Sequence, residues 1–363
     1  MRIVNSKRLV GIEKQISHVE SLLQVEVQDV RAIGIWGMSG IGKTTIAEVL
    51  YSRLCSEYEG CYFKVDVKKE WGGYRNMHLK KELFSTLLGE QDLKIDTLHG
   101  LPSSVERMLH RTKVLVVLDD VSDQEQLDIL IGTLEWFGRG SRIIITTRDK
   151  QVLARMVVDN DIYEVKELDF DESLRLFNLY AFEQNDTNKN QIEYSELSKK
   201  MVKYAEGIPG VLVDLGRELL GKDKRYWKIQ LGRLKKKVPI KKVHENVRLS
   251  YNDLDHLEKR IFLDIACFLD GLHLKLDHIK LLAKDRGYSV GVELESLKNK
   301  ALIIISPDNV VSIHNIIQES AWKIVRDESD NDPENQSRLL DFDDIYEVLK
   351  NDKVYVYIYI LKV

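Results

Sequence analysis

The chain has 363 residues, a formal net charge of −4 and 44% hydrophobic residues. That length suits roughly two or three domains, and the acidic balance argues against nucleic acid or an anionic membrane surface as the main partner, since both demand a basic excess. Cys55, Cys61 and Cys267 follow no metal-ligand or disulfide spacing, no run of about eighteen apolar residues occurs, and the charges at Arg2, Lys7 and Arg8 have no apolar core behind them; a soluble, non-exported protein of a reducing compartment is expected.

The first β-branched run, 31–36, reads as a strand, and 46–58 has a helical period. Between them stands G-M-S-G-I-G-K-T-T at 37–45, a complete phosphate-binding loop. Gly37, Gly40 and Gly42, with Ile41 among them, let the backbone approach phosphate oxygens. The first amides of the following helix, around Lys43, Thr44 and Thr45, aim at the same anion. Lys43 brings charge to the outer phosphates and the Thr44 hydroxyl can ligate Mg²⁺. A Gly-rich turn that binds nothing is the plain alternative, and the full pattern between strand and helix disfavours it.

Further strands are expected at 61–67, 113–118, 141–147 and 162–165. Near-continuous Val/Ile/Leu runs among them indicate a parallel sheet covered on both faces, hence an α/β domain over 1–165. The segment K-V-L-V-V-L-D-D at 113–120 ends in two carboxylates. Asp119 can complete a Mg²⁺ shell and Asp120 can orient or activate a water, unless the pair simply ends a strand in a solvated turn. In S-R-I-I-I-T-T-R-D at 141–149, Arg148 stands at a strand tip where it can tell a triphosphate from a diphosphate. A surface pair with Asp149 is its alternative.

After Val165 the rhythm changes. Asp169 and Glu172 fit a capping box, and helical periods at 173–182, 193–204, 210–220 and 226–234 make a small helical domain over 166–237. The basic run 234–242 reads as a solvated linker. Helices at 258–268 and 278–283, strands at 301–305 and 310–313 around Pro307-Asp308-Asn309, and a helix at 316–325 suggest a winged-helix domain over 238–350. The remainder, 351–363, is atypical: V-Y-V-Y-I-Y-I at 354–360 alternates like a strand yet would form a flat apolar edge. Its other reading is a translated TA-rich dinucleotide repeat, which sequencing the transcript would decide.

The order of these motifs resembles the NB-ARC domain of plant disease-resistance proteins. The resemblance runs over 9–349. It rests on L-V-G-I-E at 9–13, G-I-W-G-M-S-G-I-G-K-T-T at 34–45, V-L-V-V-L-D-D-V at 114–121, G-S-R-I-I-I-T-T-R-D at 140–149, Y-E-V-K-E-L at 163–168, R-L-S-Y-N-D-L at 248–254, F-L-D-I-A-C-F at 262–268 and the helix 316–326. The F-L-D-I-A-C-F form is similar to the class that carries an N-terminal TIR domain.

What the resemblance implies is a P-loop NTPase sheet, a helical domain and a winged helix closing over ADP, opened by exchange for ATP. Val10 and Ile12 would lie near adenine, Pro209 would pack on base or ribose, and His314 would reach the β-phosphate. Two departures stand out. Gly210 replaces an apolar family residue, which implies a looser helix start, and Asn315 replaces an Asp, which implies a weakened or rewired resting lock. No TIR-like region precedes Leu9 and no leucine-rich period follows Leu349, so the chain resembles the switch without its usual output and sensor regions.

The expected function is an ADP/ATP switch in plant immune signalling with slow Mg²⁺-dependent hydrolysis. Its partners would be other signalling proteins and, on activation, further copies of itself, in cytoplasm or nucleus and without a membrane span. An ATPase doing mechanical work, a winged helix reading DNA and a truncated, non-signalling product are the alternatives. The DNA reading is disfavoured by the few basic residues of 278–286, Lys280, Lys284 and Arg286.

Overall fold

The computed structural model describes residues 9–183, 188–235, 241–269, 274–284, 290–328, 336–338 and 346; the expected tail at 354–360, and Arg286 with the end of its helix, lie outside the described residues. Two compact units share the chain. The first lies within Met1–Thr187, Gly207–Arg217 and Asn299–Ala301, and the second within Asn188–Glu206, Glu218–Lys298 and Leu302–Val363.

The first unit is an α/β layer structure. In chain order it holds α1 (Ile12–Leu23), β1 (Arg31–Trp36), α2 (Lys43–Leu54), β2 (Gly60–Lys64), α3 (Val67–Glu70), α4 (Arg75–Leu88), α5 (Ser103–Leu109), β3 (Val114–Val121), α6 (Gln124–Leu130), β4 (Arg142–Thr147), β5 (Ile162–Glu164) and α7 (Phe170–Ala181). The strands form one sheet in the order β2-β3-β4-β1-β5, all neighbours parallel. Ile143, Ile144 and Ile145 are fully buried, as are Val114 to Leu118, because helices cover both faces of a parallel sheet. The apolar runs of the sequence are these central strands.

Boundaries move where the backbone turns left-handed. The strand expected to reach residue 67 stops at Lys64, since Asp66 has φ 54° and α3 begins directly after it. The helix expected from 46 begins at Lys43 and tightens after Leu54 into a 3₁₀ turn, Cys55–Glu57. β3 runs to Val121 rather than 118. Its pairing with β4 shifts register between Leu118 and Val121, with Asp120 at φ 55°.

Among its described residues the second unit is helical with one hairpin. It holds α8 (Asn188–Ala205), and the chain then passes through α9 (Pro209–Leu219), whose residues up to Arg217 belong to the first unit. There follow α10 (Lys224–Lys235), α11 (Lys241–Asn252), α12 (His256–Asp264), α13 (Leu276–Lys284), α14 (Gly291–Asn299), β6 (Ile304–Ile305), β7 (Val311–Ser312) and α15 (Asn315–Asp327). β6 and β7 pair antiparallel around the expected turn, with Asn309 at φ 62°. They are shorter than the sequence suggests, and Ala301 at φ 52° breaks the extended run before β6. A π-helical turn, Ile265–Leu269, continues α12, and the Ala266 carbonyl accepts both Gln318 Nε2 and Trp322 Nε1 from α15, each at 3.0 Å. This ties F-L-D-I-A-C-F to the helix after the hairpin. Capping boxes at Asp169/Glu172 and Asp255/Glu258 start α7 and α12. Among the described residues no helix is long and apolar enough to cross a membrane.

Candidate functional site

The phosphate loop joins β1 to α2 at the edge of the central strands. Gly40 and Gly42 have φ 80° and 112°, values a side chain adopts only with strain, so the loop's path requires glycine there. No side chain caps the start of α2. The first N–H groups of a helix lack intrahelical partners, and here they remain open to an anion. The Lys43 ammonium folds over the loop, donating to the carbonyls of Gly37 at 2.7 Å and Met38 at 2.9 Å. Burial, then the nearby charge of Arg148, lowers Lys43 to about 7 against the opposing pull of Asp120 and Asp119.

Beside it, the Asp119 carboxylate accepts from Thr44 Oγ1 at 2.9 and 3.1 Å and from Thr146 Oγ1 at 2.7 Å. Burial raises the pKa of Asp119, and the two hydroxyl donors counter the rise. Thr146 Oγ1 also accepts the Asp120 backbone N–H at 2.9 Å. The irregularity in β3 explains how two successive carboxylates both serve this place. Regular strand residues alternate faces, and the left-handed Asp120 breaks the alternation. Asp120 takes Arg148 in a two-point pair, from Nε and Nη2 at 3.0 Å each. Arg148 therefore pairs not with its neighbour Asp149 but with a residue 28 positions earlier. Asp149 instead accepts the Gln151 N–H at 3.0 Å and lies 3.9 Å from Lys300.

On the other flank of the loop a cavity of about 280 Å³ is lined by Val10, Ile12, Ile41, Gly42, Thr45 and Pro209, together with Gln15, Glu48, Leu168, Leu176, Tyr180 and Val213. Its walls are mostly apolar with a few polar side chains, the make-up of a small-molecule pocket. Gly210 is not a gap here. Its N–H donates to the Gly40 carbonyl at 2.9 Å, and a Cβ at 210 would come within 3.0 Å of Gly40 Cα. The looser helix start expected from this glycine is thus replaced by a backbone-to-backbone seat for the phosphate loop.

His314 belongs to the second unit. Its Nδ1 lies 3.5 Å from Glu206, a left-handed residue with φ 48°. The same carboxylate accepts the Asn315 N–H at 3.1 Å and the Asn315 side-chain amide at 2.5 Å, so it caps the start of α15. An aspartate at 315 would face Glu206 with a second carboxylate. Asn315→Asp is therefore expected to destabilise the chain by about 1 kcal/mol, and Glu206→Gln in the same chain should recover most of it; urea unfolding midpoints of the four chains check the cycle.

Reading of the sequence missed Thr146 and Glu206. A signal existed for the first, since T-T directly after I-I-I places hydroxyls at the tip of an apolar run. None marked the second.

A family model described as the NB-ARC domain matches residues 12–187. The chain carries an NB-ARC domain. A second model, described as the winged-helix domain of Roq1-like disease-resistance proteins, matches 255–329. The chain is 37% identical over 346 residues to Disease resistance protein RPV1 of Vitis rotundifolia, covering 95% of this chain and 24% of that protein. It is 36% identical over 355 residues to TMV resistance protein N of Nicotiana glutinosa, covering 95% and 30%. The chain thus spans less than a third of the length of these relatives. The Walker-type ATPase paby2304 of Pyrococcus abyssi has the same fold, with TM-score 0.56 at 16% identity over 88% of this chain and 97% of that one. The NB-ARC match covers the phosphate loop, the Asp119–Asp120 pair and Arg148.

Proposed function

We propose that this chain is the nucleotide-operated switch segment of a plant immune receptor, resting with ADP, activated by exchange for ATP and reset by slow Mg²⁺-dependent hydrolysis. The observation that carries the reading is the uncapped start of α2 beneath a buried Lys43, opening beside an apolar cavity of about 280 Å³. Helix amides and an ammonium suit phosphates, and the cavity lined by Val10, Ile12 and Pro209 suits a base.

The donor set fits both groups. Gly37, Gly40, Ile41, Gly42, Lys43, Thr44 and Thr45 would hold the phosphates, and the Thr44 hydroxyl with the Asp119 carboxylate, 2.9 Å apart, would hold Mg²⁺. Bound Mg²⁺ would supply charge neutralisation for phosphoryl transfer. Thr146 fixes the Asp119 oxygens, Asp120 orients a water, and Arg148 senses the third phosphate. A ligand held this way biases a conformational equilibrium only through contacts that differ between the two states, and Arg148 is the residue assigned that difference.

The disease-resistance names of the relatives support an immune role. Other signalling proteins and further copies of the chain as partners, and residence in cytoplasm or nucleus, follow from the same reading. The test is mass analysis of nucleotide released from freshly purified full chain, together with steady-state turnover. Retained ADP with very slow turnover is expected. An empty protein, or rapid turnover, overturns the switch.

A further inference from the structure

We propose that Asp120 sets the preference between nucleoside triphosphate and diphosphate by competing with the third phosphate for Arg148. The inference rests on the nucleotide site described above and assigns Asp120 a positioning role in addition to orienting water.

The geometry is specific. Asp120 occupies the Nε and Nη2 donors of Arg148 with both carboxylate oxygens, so the side-on edge of the guanidinium is used and its charge is balanced. Asp120 is tied down at its main chain. Its backbone is left-handed at φ 55°, its N–H is bound to Thr146 Oγ1, and that hydroxyl is itself committed to Asp119. Arg148 is the longer side chain of the pair, with more rotatable bonds. It stands at the end of β4 with its side chain 27% exposed, and close enough to Lys43 for the two positive charges to oppose each other. It is therefore within electrostatic range of the mouth of the phosphate loop. An arginine held in reserve by a fixed carboxylate answers a new anion only when that anion outbids the carboxylate.

A diphosphate ends one phosphate short and leaves the pair intact. A triphosphate supplies the competing charge. When Arg148 turns away, the Asp120 oxygens lose their donors and become acceptors for a water. Sensing the third phosphate and opening the water-orienting group are then one exchange, which keeps the group closed while ADP is bound. Thr146 links this exchange to Thr44 through Asp119, so the arginine and the metal-side hydroxyl share one hydrogen-bonded line.

The test uses the full chain with Mg²⁺, titrating ADP and a non-hydrolysable ATP analogue by calorimetry. Asp120→Asn keeps the side-chain shape and tolerates the left-handed backbone, and Asp120→Gly favours that backbone outright. Both are expected to raise the ratio of analogue affinity to ADP affinity by roughly three- to tenfold, the scale of a partly exposed charge pair. Arg148→Ala should lower the ratio, and Asp120→Asn should add nothing in the Arg148→Ala chain. An unchanged ratio in both Asp120 variants overturns the proposal. So does an equal rise with and without Arg148, which would mean that removing any negative charge near the phosphates suffices. Failure of the parent chain to bind either nucleotide instead sinks the underlying site, a result distinct from both.

Discussion

Lys43→Met is expected to weaken ADP binding by at least about a hundredfold, because it removes the principal charge facing the phosphates from a site where water cannot replace it. The side chain is 7% exposed and its ammonium spends its donors on the Gly37 and Met38 carbonyls of the loop itself. The fold holds the charged form at a cost, since burial and Arg148 bring Lys43 down to about 7. For a base with a depressed pKa the unfolded chain binds more protons between about 7 and the ordinary lysine value. Stability therefore rises with pH across that window, and the penalty is fully present below about 7. Removing the charge should leave the empty protein at least as stable at pH 6 and abolish this rise. Nucleotide affinity should fall as pH increases above about 7, because binding then has to draw a proton onto Lys43. Calorimetric titrations between pH 6 and 9 in both chains check the set; equal ADP affinity in parent and variant would exclude Lys43 from the site.

Much of this arrangement was legible before any coordinates. The sheet could be read because Val114 to Leu118 and Ile143 to Ile145 are apolar at every position, which only a doubly covered parallel strand requires. Lys43, Thr44 and Asp119 could be read because the phosphate loop fixes local spacing and an apolar strand needs a reason to end in carboxylates. The unread features depend on left-handed non-glycine residues or on distant partners. Asp66 ends an extended run early, Ala301 makes one start late, and Asp120 bends β3 so that it meets Arg148. No pattern of residue types announces those turns, since aspartate and alanine are common where φ is negative. Asn315 looked like a lost charge for a similar reason. Its meaning lies in Glu206, 109 positions earlier in the chain, whose carboxylate makes an amide the better match.

Arg142 is the largest such omission, and Arg142→Met is expected to destabilise the chain by about 3–5 kcal/mol, the range for stripping one partner from a buried charged network. Nothing in the sequence singled out Arg142, yet this first residue of β4 is wholly buried. Its guanidinium donates to five carbonyls: Leu23 at 2.6 Å, Gln24 at 2.6 Å, Val27 at 2.7 Å, Asp29 at 2.6 Å and Ser141 at 2.8 Å. Leu23 and Gln24 close α1, where carbonyls lack intrahelical donors and a cation is favoured. Burial pulls the Arg142 pKa down, but an arginine stays protonated in proteins, so its charge persists where a lysine's would be at risk. The consequence reaches the site, because this clamp fixes the connection from α1 to β1, and β1 pairs with β4 from Arg31–Arg142 onward to the strand ends that carry the phosphate loop and Arg148. Methionine fills the volume but donates to none of the five: Gln24 keeps the Val27 N–H and Ser141 the Arg31 N–H, while the Leu23, Val27 and Asp29 carbonyls lose the guanidinium donor. Arg142→Lys, with three donors and no planar fork, should recover only part of the loss. Urea unfolding of the full chain gives the three midpoints; a methionine variant within about 1 kcal/mol of the parent would show that water or a shifted loop can stand in for the guanidinium.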